Sequence, residues 1–260
     1  MSAESIHYDI IIVGGGPAGL AAAIRCKQLK PDYSVCLLEK AREIGAHILS
    51  GAVIETKALD ELLPDWRKLD APIITKVTED QFFFLTQKKS LRVPNWILPK
   101  TLLNHNNYIV SLSQVCHWLG EKALELGVDI YPGFSANKIL FNEKKQVIGI
   151  ATGDMGRDKN DQPKAKFSPG IEIYGKQTLF AEGCRGYLSE QLMHLLNLRA
   201  ECDPQTYGLG IKEIWQTNSK QYKAGLVMHT IGWPLSSDVY GGGFIYHLEN
   251  NQIAVGLVLG

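Results

Sequence analysis

A glycine turn near the N-terminus has residue types and spacing that point directly to chemistry. Gly14, Gly16 and Gly19 follow the spacing G-x-G-x-x-G between an apolar predicted strand, 8–13, and an alanine-rich predicted helix, 17–29. In such a turn the first glycine permits the sharp bend, the second lets the backbone approach a pyrophosphate, and the third lets helix and strand pack closely. The free N–H groups and the dipole at the start of the helix favour the phosphates. The turn therefore predicts a dinucleotide-binding site.

An acidic residue at the end of the next predicted strand, 34–39, supports this prediction. Glu39 follows Gly19 at the distance where an acid accepts hydrogen bonds from the ribose hydroxyls of an adenosine. NAD and FAD share this half, so the motif alone does not separate them. FAD is favoured because the regular alternation of strands and helices stops after the second strand. It resumes only at the predicted strand 177–183, which ends in Ala-Glu-Gly.

The composition argues against several other classes of protein. The net charge is zero, so no bulk attraction to nucleic acid is expected. The five cysteines include no C-x-x-C pair, and we expect each to be a reduced, small and buried hydrophobe. The histidines lack zinc spacing, and the aspartates of 154–166 do not fit a calcium loop. No metal site and no catalytic acid–base residue is predicted in this chain.

The remaining elements can be placed from periodicity and turn residues. No apolar run is long enough to cross a bilayer, although binding at a membrane surface stays open. Residues 154–166 are polar and predict an exposed loop. We expect further helices at 113–126 and 187–196, and strands at 128–131, 136–141, 146–152 and from 205 onward.

Six segments in the rest of the chain resemble one known family. They are GAHILSGA (45–52), DWRKLDAPI (65–73), FAEGCRG (180–186), PQTYGLGIKEIW (204–215), HTIGWPL (229–235) and YGGGFIYHL (240–248). In this order they closely resemble the electron transfer flavoprotein–ubiquinone oxidoreductases, and the resemblance covers residues 8–260.

The resemblance implies an α/β fold with α+β insertions. A Rossmann-like FAD-binding domain would be interleaved with a mixed-sheet quinone-binding domain that is truncated at the C-terminus. We expect the FAD-binding domain at 1–75 and, with a hairpin insertion, at 111–200. An irregular insertion on the quinone side would occupy 76–110, and 201–260 would form an incomplete quinone-binding domain.

The resemblance also implies a function. In this family electrons pass from reduced electron transfer flavoprotein through FAD and a [4Fe–4S] cluster to ubiquinone in the membrane. The family's cluster needs four cysteine thiolates in a ferredoxin-like run, which this chain lacks. We therefore expect the 260 residues to be inactive alone. The whole protein would lie peripherally on a bacterial cytoplasmic membrane or on the mitochondrial inner membrane.

Carried over residue by residue, the resemblance gives candidate site residues. The quinone contact falls on Gly241 and Gly242, although from chemistry alone a bulge or tight turn is the better explanation of this pair. The membrane-facing segment falls near 47–68, where Ala58, Leu59, Leu62 and Leu63 form one apolar face that could instead face a core. The FAD contacts are expected at Gly14, Gly15, Gly16, Pro17, Ala18, Gly19, Glu39, Lys40, Ala46, Gly51, Glu182 and Gly183.

Two other functions remain open from the sequence. One is a different FAD oxidoreductase of the same broad fold, similar to geranylgeranyl reductases or aromatic hydroxylases. The segments 204–215 and 240–248 argue against it. The other is a truncated, non-catalytic fragment.

Overall fold

The computed structural model of the protein describes residues 5–49, 51–160 and 162–260, and the chain divides into two compact units. The first unit contains Met1–Ile48 and Cys116–Cys202. The second unit contains Leu49–Val115 and Asp203–Gly260. Each unit is thus assembled from two separate stretches of chain.

Two helices, Pro17–Leu29 and Leu112–Glu125, have 13 and 14 residues, and the other two in the described residues are shorter. Pro17 stands at the first position of its helix, where the missing N–H group would have no intrahelical partner in any case. The helices at 17–29, 113–126 and 187–196 are confirmed to within one residue at each end. The described residues form α1 (Pro17–Leu29), α2 (Lys57–Leu62), α3 (Leu112–Glu125) and α4 (Tyr187–Leu195), with single 3-10 turns at Trp66–Lys68, Asn95–Ile97 and Lys100–Leu102.

Strands make up most of the remaining regular structure. In chain order they are β1 (Ser5–Val13), β2 (Val35–Glu39), β3 (Ala52–Ile54), β4 (Thr75–Lys76), β5 (Glu79–Leu85), β6 (Ser90–Val93), β7 (Tyr108–Val110), β8 (Asp129–Pro132), β9 (Ala136–Phe141), β10 (Val147–Thr152), β11 (Met155–Arg157), β12 (Pro163–Ser168), β13 (Glu172–Phe180), β14 (Leu209–Gln216), β15 (Leu226–Gly232), β16 (Gly241–His247) and β17 (Gln252–Leu259).

The first unit is built on a six-stranded sheet in the order β8-β2-β1-β13-β10-β9. Strand β1 runs parallel to β2 and β13, β8 runs parallel to β2, and the hairpin β9–β10 is antiparallel to its neighbours. Ile11, Ile12 and Leu37 are fully buried, as expected of parallel strands that are covered on both faces. This is a Rossmann-like arrangement with a hairpin added at one edge.

The second unit contains a mixed six-stranded sheet in the order β14-β17-β16-β15-β5-β6. Only β15 and β5 pair in parallel; the other pairs are antiparallel. A small sheet, β3-β7-β4, belongs to the same unit. The core of the unit gathers side chains from both sheets: Val53, Val77, Ile109, Val227, Tyr246, Leu248 and Ala254.

Some sequence predictions differ from the structure. Residues 154–166 are not a loop, because β11 and β12 pair in an antiparallel ladder there; Asp161 lies outside the described residues. Residues 49–75, which the sequence assigned to the FAD-binding domain, belong to the second compact unit. Residues 76–110 are not irregular, since β5 and β6 complete the large sheet of that unit.

The cysteines also divide in a way that composition could not foresee. Cys36 and Cys116 are buried, and burial raises the pKa of their thiols to about 12 and about 11. The prediction of small buried hydrophobes holds for these two. It is wrong for Cys184 and Cys202, which lie on irregular chain outside the sheets and are exposed.

Candidate functional site

Two of the turn glycines are required by the backbone around them. Gly14 has a φ of +111°, and a Cβ there would lie 2.4 Å from the carbonyl oxygen of Ala181. A Cβ on Gly19 would lie 2.0 Å from the carbonyl oxygen of Gly14. The turn between β1 and α1 is therefore so tight that these positions exclude any side chain, with or without a ligand.

Gly16 differs from these two because a Cβ there would lie in open space. It is the N-cap residue of α1, with φ −82° and ψ −178°, a conformation that any residue adopts. A Cβ built on it has no neighbour within 4 Å. The open space lies in front of the first turn of α1, where free N–H groups favour an anion.

That space is part of a cavity of about 450 Å³ formed entirely by the first unit. Its size is ordinary for a small-molecule or cofactor site. The carboxyl ends of β1 and β2 open into it, as expected for the ligand edge of a parallel sheet. Its walls are Val13–Ala18, Leu38–Lys40, Gly45, His47, Ile48, Phe134–Ala136, Ala181–Gly183 and Arg185–Tyr187.

Glu39 holds the turn as well as lining the cavity. Its Oε2 accepts the N–H of Gly15 at 2.8 Å, and its Oε1 accepts the N–H of Ala41 at 2.8 Å. Each carboxylate oxygen has a second lone pair, so the same side chain can still accept hydroxyl donors from a ligand. The sequence predicted the hydrogen bonds of Glu39 to ligand hydroxyls but not its hydrogen bonds to the backbone.

Glu182 is chiefly a helix cap. Its carboxylate accepts the N–H groups of Leu188 at 3.2 Å and Ser189 at 2.7 Å, and the Ser189 hydroxyl at 2.6 Å. These bonds satisfy donors that the first turn of α4 would otherwise leave without partners. Glu182 and Gly183 both line the cavity, but most of the carboxylate's acceptor capacity is directed at the protein itself.

Most of the predicted FAD contacts meet in this cavity, and three do not. Gly19 packs behind the turn, and Ala46 is missing from the wall although its neighbours Gly45 and His47 are part of it. Gly51 belongs to the second unit, where its Cβ would meet Ala254 at 2.8 Å. The predicted residues that line the cavity are Gly14, Gly15, Gly16, Pro17, Ala18, Glu39, Lys40, Glu182 and Gly183.

Sequence reasoning missed the wall formed by residues 134–136 and 185–187. A signal was present, because 134–136 directly follow β8, whose carboxyl end lies at the same edge of the sheet as those of β1 and β2. Residues 185–187 directly follow the Ala-Glu-Gly turn. Extending each motif by a few residues would have found both.

The glycine pair predicted to contact quinone lies at the start of β16 in the second unit. A Cβ on Gly242 would lie 2.0 Å from the carbonyl oxygen of Thr230. Gly241 has a φ of +147°, and its Cβ would lie 2.1 Å from the carbonyl oxygen of Val258. The sheet itself therefore requires both glycines, which is the structural explanation that the sequence left open.

The face of β16 that carries Gly242 also carries two stacked aromatic rings. Phe244 and Tyr246 lie 4.7 Å apart between ring centroids, with 22° between their planes. The Phe244 ring crosses Gly256 of β17, where a Cβ would lie 2.3 Å from it. Phe244 and Tyr246 stand two residues apart in the strand, which places their side chains on the same face.

The same face carries the polar groups of His229, Lys212 and Tyr246. His229 Nε2 lies 2.9 Å from the Tyr246 hydroxyl, and Lys212 Nζ donates to the carbonyl oxygen of Gly51 at 2.7 Å. Burial lowers the pKa of His229, against a smaller opposing effect of the Asp80 charge, and burial also lowers the pKa of Lys212. Burial and the Asp80 carboxylate together raise the pKa of Tyr246 to about 12. Burial therefore disfavours the charged forms of both His229 and Tyr246.

The second unit also exposes large apolar side chains between residues 91 and 102. Trp96 is 85% exposed, Leu91 67% and Ile97 53%, and Leu102 is exposed as well. Among the described residues, no helix combines the length and the apolar character that crossing a bilayer requires. Within the same ranges no group of three or more His, Cys, Asp and Glu side chains is gathered closely enough to hold a metal ion.

Two family models match parts of the chain. Residues 207–260 match the ubiquinone-binding domain of electron transfer flavoprotein–ubiquinone oxidoreductase, and residues 12–67 match an NAD(P)-binding Rossmann-like domain. The first match includes β14 to β17 of the second unit, and the second match includes the glycine turn.

Solved structures share the fold of the whole chain at low sequence identity. A geranylgeranyl bacteriochlorophyll reductase-like protein from Thermoplasma acidophilum has a TM-score of 0.68 at 16% identity, over 98% of this chain and 57% of that one. The FAD-dependent myxobacterial chondrochloren halogenase CndH has a TM-score of 0.64 at 16% identity, over 98% and 53%. At this identity the likeness shows the fold alone.

Curated relatives are far more similar in sequence. The electron transfer flavoprotein–ubiquinone oxidoreductase of Pseudomonas aeruginosa is 51% identical over all of this chain and 48% of its own length. The human mitochondrial enzyme is 51% identical over 97% of this chain and 42% of its own length. The chain thus spans about half the length of the curated relatives it matches. The resemblance seen in the sequence is confirmed: from end to end this chain is similar to about half of an electron transfer flavoprotein–ubiquinone oxidoreductase.

Proposed function

We propose that this chain supplies the FAD-binding and ubiquinone-binding parts of an enzyme that takes electrons from reduced electron transfer flavoprotein and passes them to ubiquinone. The proposal rests on the sequence identity of 51% to two enzymes of that name over 97–100% of this chain. The ubiquinone-binding match over residues 207–260 supports it. A geranylgeranyl-reductase-like or hydroxylase-like function has only the shared fold in its favour.

The cavity of the first unit fits the adenosine diphosphate half of FAD. Gly16 leaves space in front of the start of α1, which suits a pyrophosphate, and the free lone pairs of Glu39 suit ribose hydroxyls. Gly14–Ala18, Lys40, Glu182 and Gly183 would complete the walls around the cofactor. When bound, FAD supplies the redox chemistry; the residues named here bind and orient it.

The proposed quinone site lies on the sheet face that carries Gly242, Phe244 and Tyr246. The two aromatic rings offer a surface on which a flat quinone ring can stack. The steric requirement for Gly241 and Gly242 means that substituting them tests the sheet before it tests quinone binding.

The [4Fe–4S] cluster of the family has no fitting ligand set in this chain. Two of the five cysteines are buried within the first unit, and no cluster of potential ligands occurs in the described residues. We propose that the cluster's ligands belong to other parts of the full-length protein, and that the 260 residues do not turn over alone.

For membrane contact, the exposed side chains at 91–102 are a stronger candidate than the predicted segment 47–68. On that segment Leu59, Leu62 and Leu63 are half-buried within the second unit, and only Ala58 of the predicted face is exposed. Trp96 and Ile97 present far more apolar area to solvent, with Lys100 close by in sequence. A tryptophan beside a lysine suits peripheral attachment at the headgroup layer.

Electron transfer to quinone is the direct test. The full-length, FAD-loaded protein is mixed with reduced electron transfer flavoprotein and a water-soluble ubiquinone, and quinol formation is followed. We expect turnover with this donor and none with NADPH. Turnover with NADPH and no reaction with the flavoprotein would assign the chain to the reductase or hydroxylase class instead.

A further inference from the structure

The second unit contains a half-buried histidine–tyrosine pair that neither fold nor cofactor binding explains. His229 lies on β15 and Tyr246 on β16, and their side chains meet at 2.9 Å on the same face of the sheet. Their rings are nearly perpendicular, at 75°. A polar pair in a sheet core usually needs a reason, since apolar side chains would fill the same space without desolvation.

The register places this pair beside the proposed quinone surface. His229 stands directly opposite Phe244, and Gly242 lies two residues from Phe244 along the same strand. Residues two apart in a strand point to the same face, and diagonal neighbours across an antiparallel pair lie about 7–8 Å apart. A flat ring lying over Gly242 and Phe244 is therefore within reach of the His229 imidazole.

Only one ring nitrogen of His229 is used within the unit. Nε2 pairs with the Tyr246 hydroxyl, whereas Nδ1 makes no hydrogen bond to any residue that the structure describes. A hydroxyl donates to a neutral imidazole and accepts from a protonated one. Tyr246 can therefore hold the ring in the same orientation in both protonation states, and it leaves Nδ1 as the nitrogen that can exchange a proton with a ligand.

We propose that His229, positioned by Tyr246, donates a proton to the quinone during its reduction. The proposal rests on the proposed function, since it needs a quinone on this face. Reduction adds two electrons and two protons to the quinone and converts its two ring carbonyls to hydroxyls. The electrons come from the flavoprotein donor. The Nδ1–H bond of the imidazolium breaks, an O–H bond forms on one carbonyl oxygen, and the neutral ring regains a proton from water. The other oxygen takes its proton from solvent.

The charged surroundings are consistent with this role. The Asp80 carboxylate on β5 acts on both His229 and Tyr246, and Lys212 on β14 adds a positive charge to the same face. The lowered pKa of His229 makes its imidazolium a stronger acid, and so a readier donor, than a free histidine. Asp80 itself is held by the backbone and side-chain N–H groups of Asn104 at 2.7 to 3.3 Å, which fixes its position.

The test compares two electron acceptors in the full-length, FAD-loaded protein. Quinone needs protons, whereas ferricyanide takes one electron and none. We expect His229→Gln to lower quinone reduction about 100-fold, the ordinary size of a general-acid effect, and to leave ferricyanide reduction unchanged. Tyr246→Phe keeps the ring stack and should lower kcat for quinone by about tenfold with little change in KM. The wild-type quinone rate should fall as pH rises above the His229 pKa, and this dependence should vanish in His229→Gln.

A matched control is available on the opposite face of the same sheet. His247 is buried, stacks on Tyr222 at 5.5 Å and accepts the Lys223 N–H at 3.0 Å. His247→Gln should leave the ratio of quinone to ferricyanide rates unchanged. A readout without turnover is the affinity of the oxidised protein for a short-chain quinone, which His229→Gln should weaken about fivefold, the value of one hydrogen bond.

Other outcomes would contradict either the proton-donor role of His229 or the proposed function. Equal losses with both acceptors in His229→Gln would make the pair structural, and unchanged rates would remove it from the reaction. If His229→Gln does not fold, an unchanged quinone kcat in Tyr246→Phe overturns the proposal. A wild-type protein that reduces ferricyanide but not quinone contradicts the proposed function itself, which the variants do not test.

Discussion

The molecule contains two glycine-rich segments that look alike in sequence and differ in structure. The turn Gly14–Gly19 joins β1 to α1 in the first unit, and the run Gly241–Gly243 opens β16 in the second. At Gly16 a side chain would enter open space in the cavity, whereas at Gly241 and Gly242 it would collide with backbone oxygens at 2.1 and 2.0 Å. In the turn, one glycine is free for a ligand; in the run, both of the predicted contacts are fixed by the sheet.

The difference separates two reasons for a glycine. A glycine whose position leaves no space for a side chain is required by the fold, and its substitution lowers the stability of the protein. A glycine that faces an empty cavity reports on a ligand, and its substitution changes binding. The effect of each substitution on the free energy of unfolding therefore shows to which of the two kinds a glycine belongs.

The largest expected loss of stability is at Gly242. An alanine there places Cβ 2.0 Å from the Thr230 carbonyl oxygen, and β15 and β16 must separate to admit it. We expect a loss of about 3 kcal/mol in the free energy of unfolding, measured by denaturant titration. Gly210→Ala in the same sheet is the control, since its Cβ meets only Val258 at 3.7 Å. A stable Gly242→Ala variant with an altered KM for quinone would reverse our assignment of this glycine.

Gly19 should come next. Its alanine variant pushes α1 away from the turn, because Cβ would lie 2.0 Å from the Gly14 carbonyl oxygen, and the helix can shift as a body to relieve part of the clash. We expect a loss of about 2 kcal/mol and weaker FAD binding together. Thermal unfolding and flavin content of the same preparation measure both. A loss of FAD at unchanged stability would place Gly19 with Gly16.

Glu39→Gln should have a smaller effect on stability. The amide keeps one acceptor oxygen but cannot accept both the Gly15 and the Ala41 N–H groups. We expect a loss of about 1 kcal/mol, with FAD affinity lowered about tenfold because a ribose acceptor is lost as well. Isothermal titration of the flavin-free protein with FAD and with ADP separates these effects. Equal affinity of wild type and variant for ADP would remove Glu39 from the ribose site.

The sequence was sufficient for the first unit where local pattern determines structure. The strand–turn–helix around Gly14–Gly19, the helix 113–126 and the hairpin at 136–152 follow from residues close together in the chain. It failed where pairing partners are distant. Strand β5 joins a sheet whose other members lie mostly after residue 208, and no residue pattern near 79–85 predicts that pairing.

The site was predictable to a similar extent. Gly14, Gly16 and Glu39 were found because one motif contains them. The hydrogen bonds of Glu39 to the backbone and the capping role of Glu182, in contrast, depend on backbone positions that only the fold creates. The pair His229 and Tyr246 is 17 residues apart in sequence and joined only by strand register. No spacing rule could have indicated it.

Gly16→Asp should change stability least and binding most. Aspartate is a favourable N-cap residue, the backbone of Gly16 suits it, and its Cβ would meet no protein atom within 4 Å. It would, however, place bulk and negative charge where the pyrophosphate is proposed to lie. Gly16→Asn has the same shape without the charge and serves as the matched control.

FAD titration of the flavin-free Gly16→Asp protein, together with its unfolding curve, tests whether the cavity in front of α1 holds the cofactor. We predict an unfolding free energy within about 0.5 kcal/mol of wild type and an affinity for FAD at least about 100-fold weaker, with Gly16→Asn between the two. Wild-type affinity for FAD in the correctly folded aspartate variant would contradict the account, because the cavity in front of α1 would then not hold the cofactor.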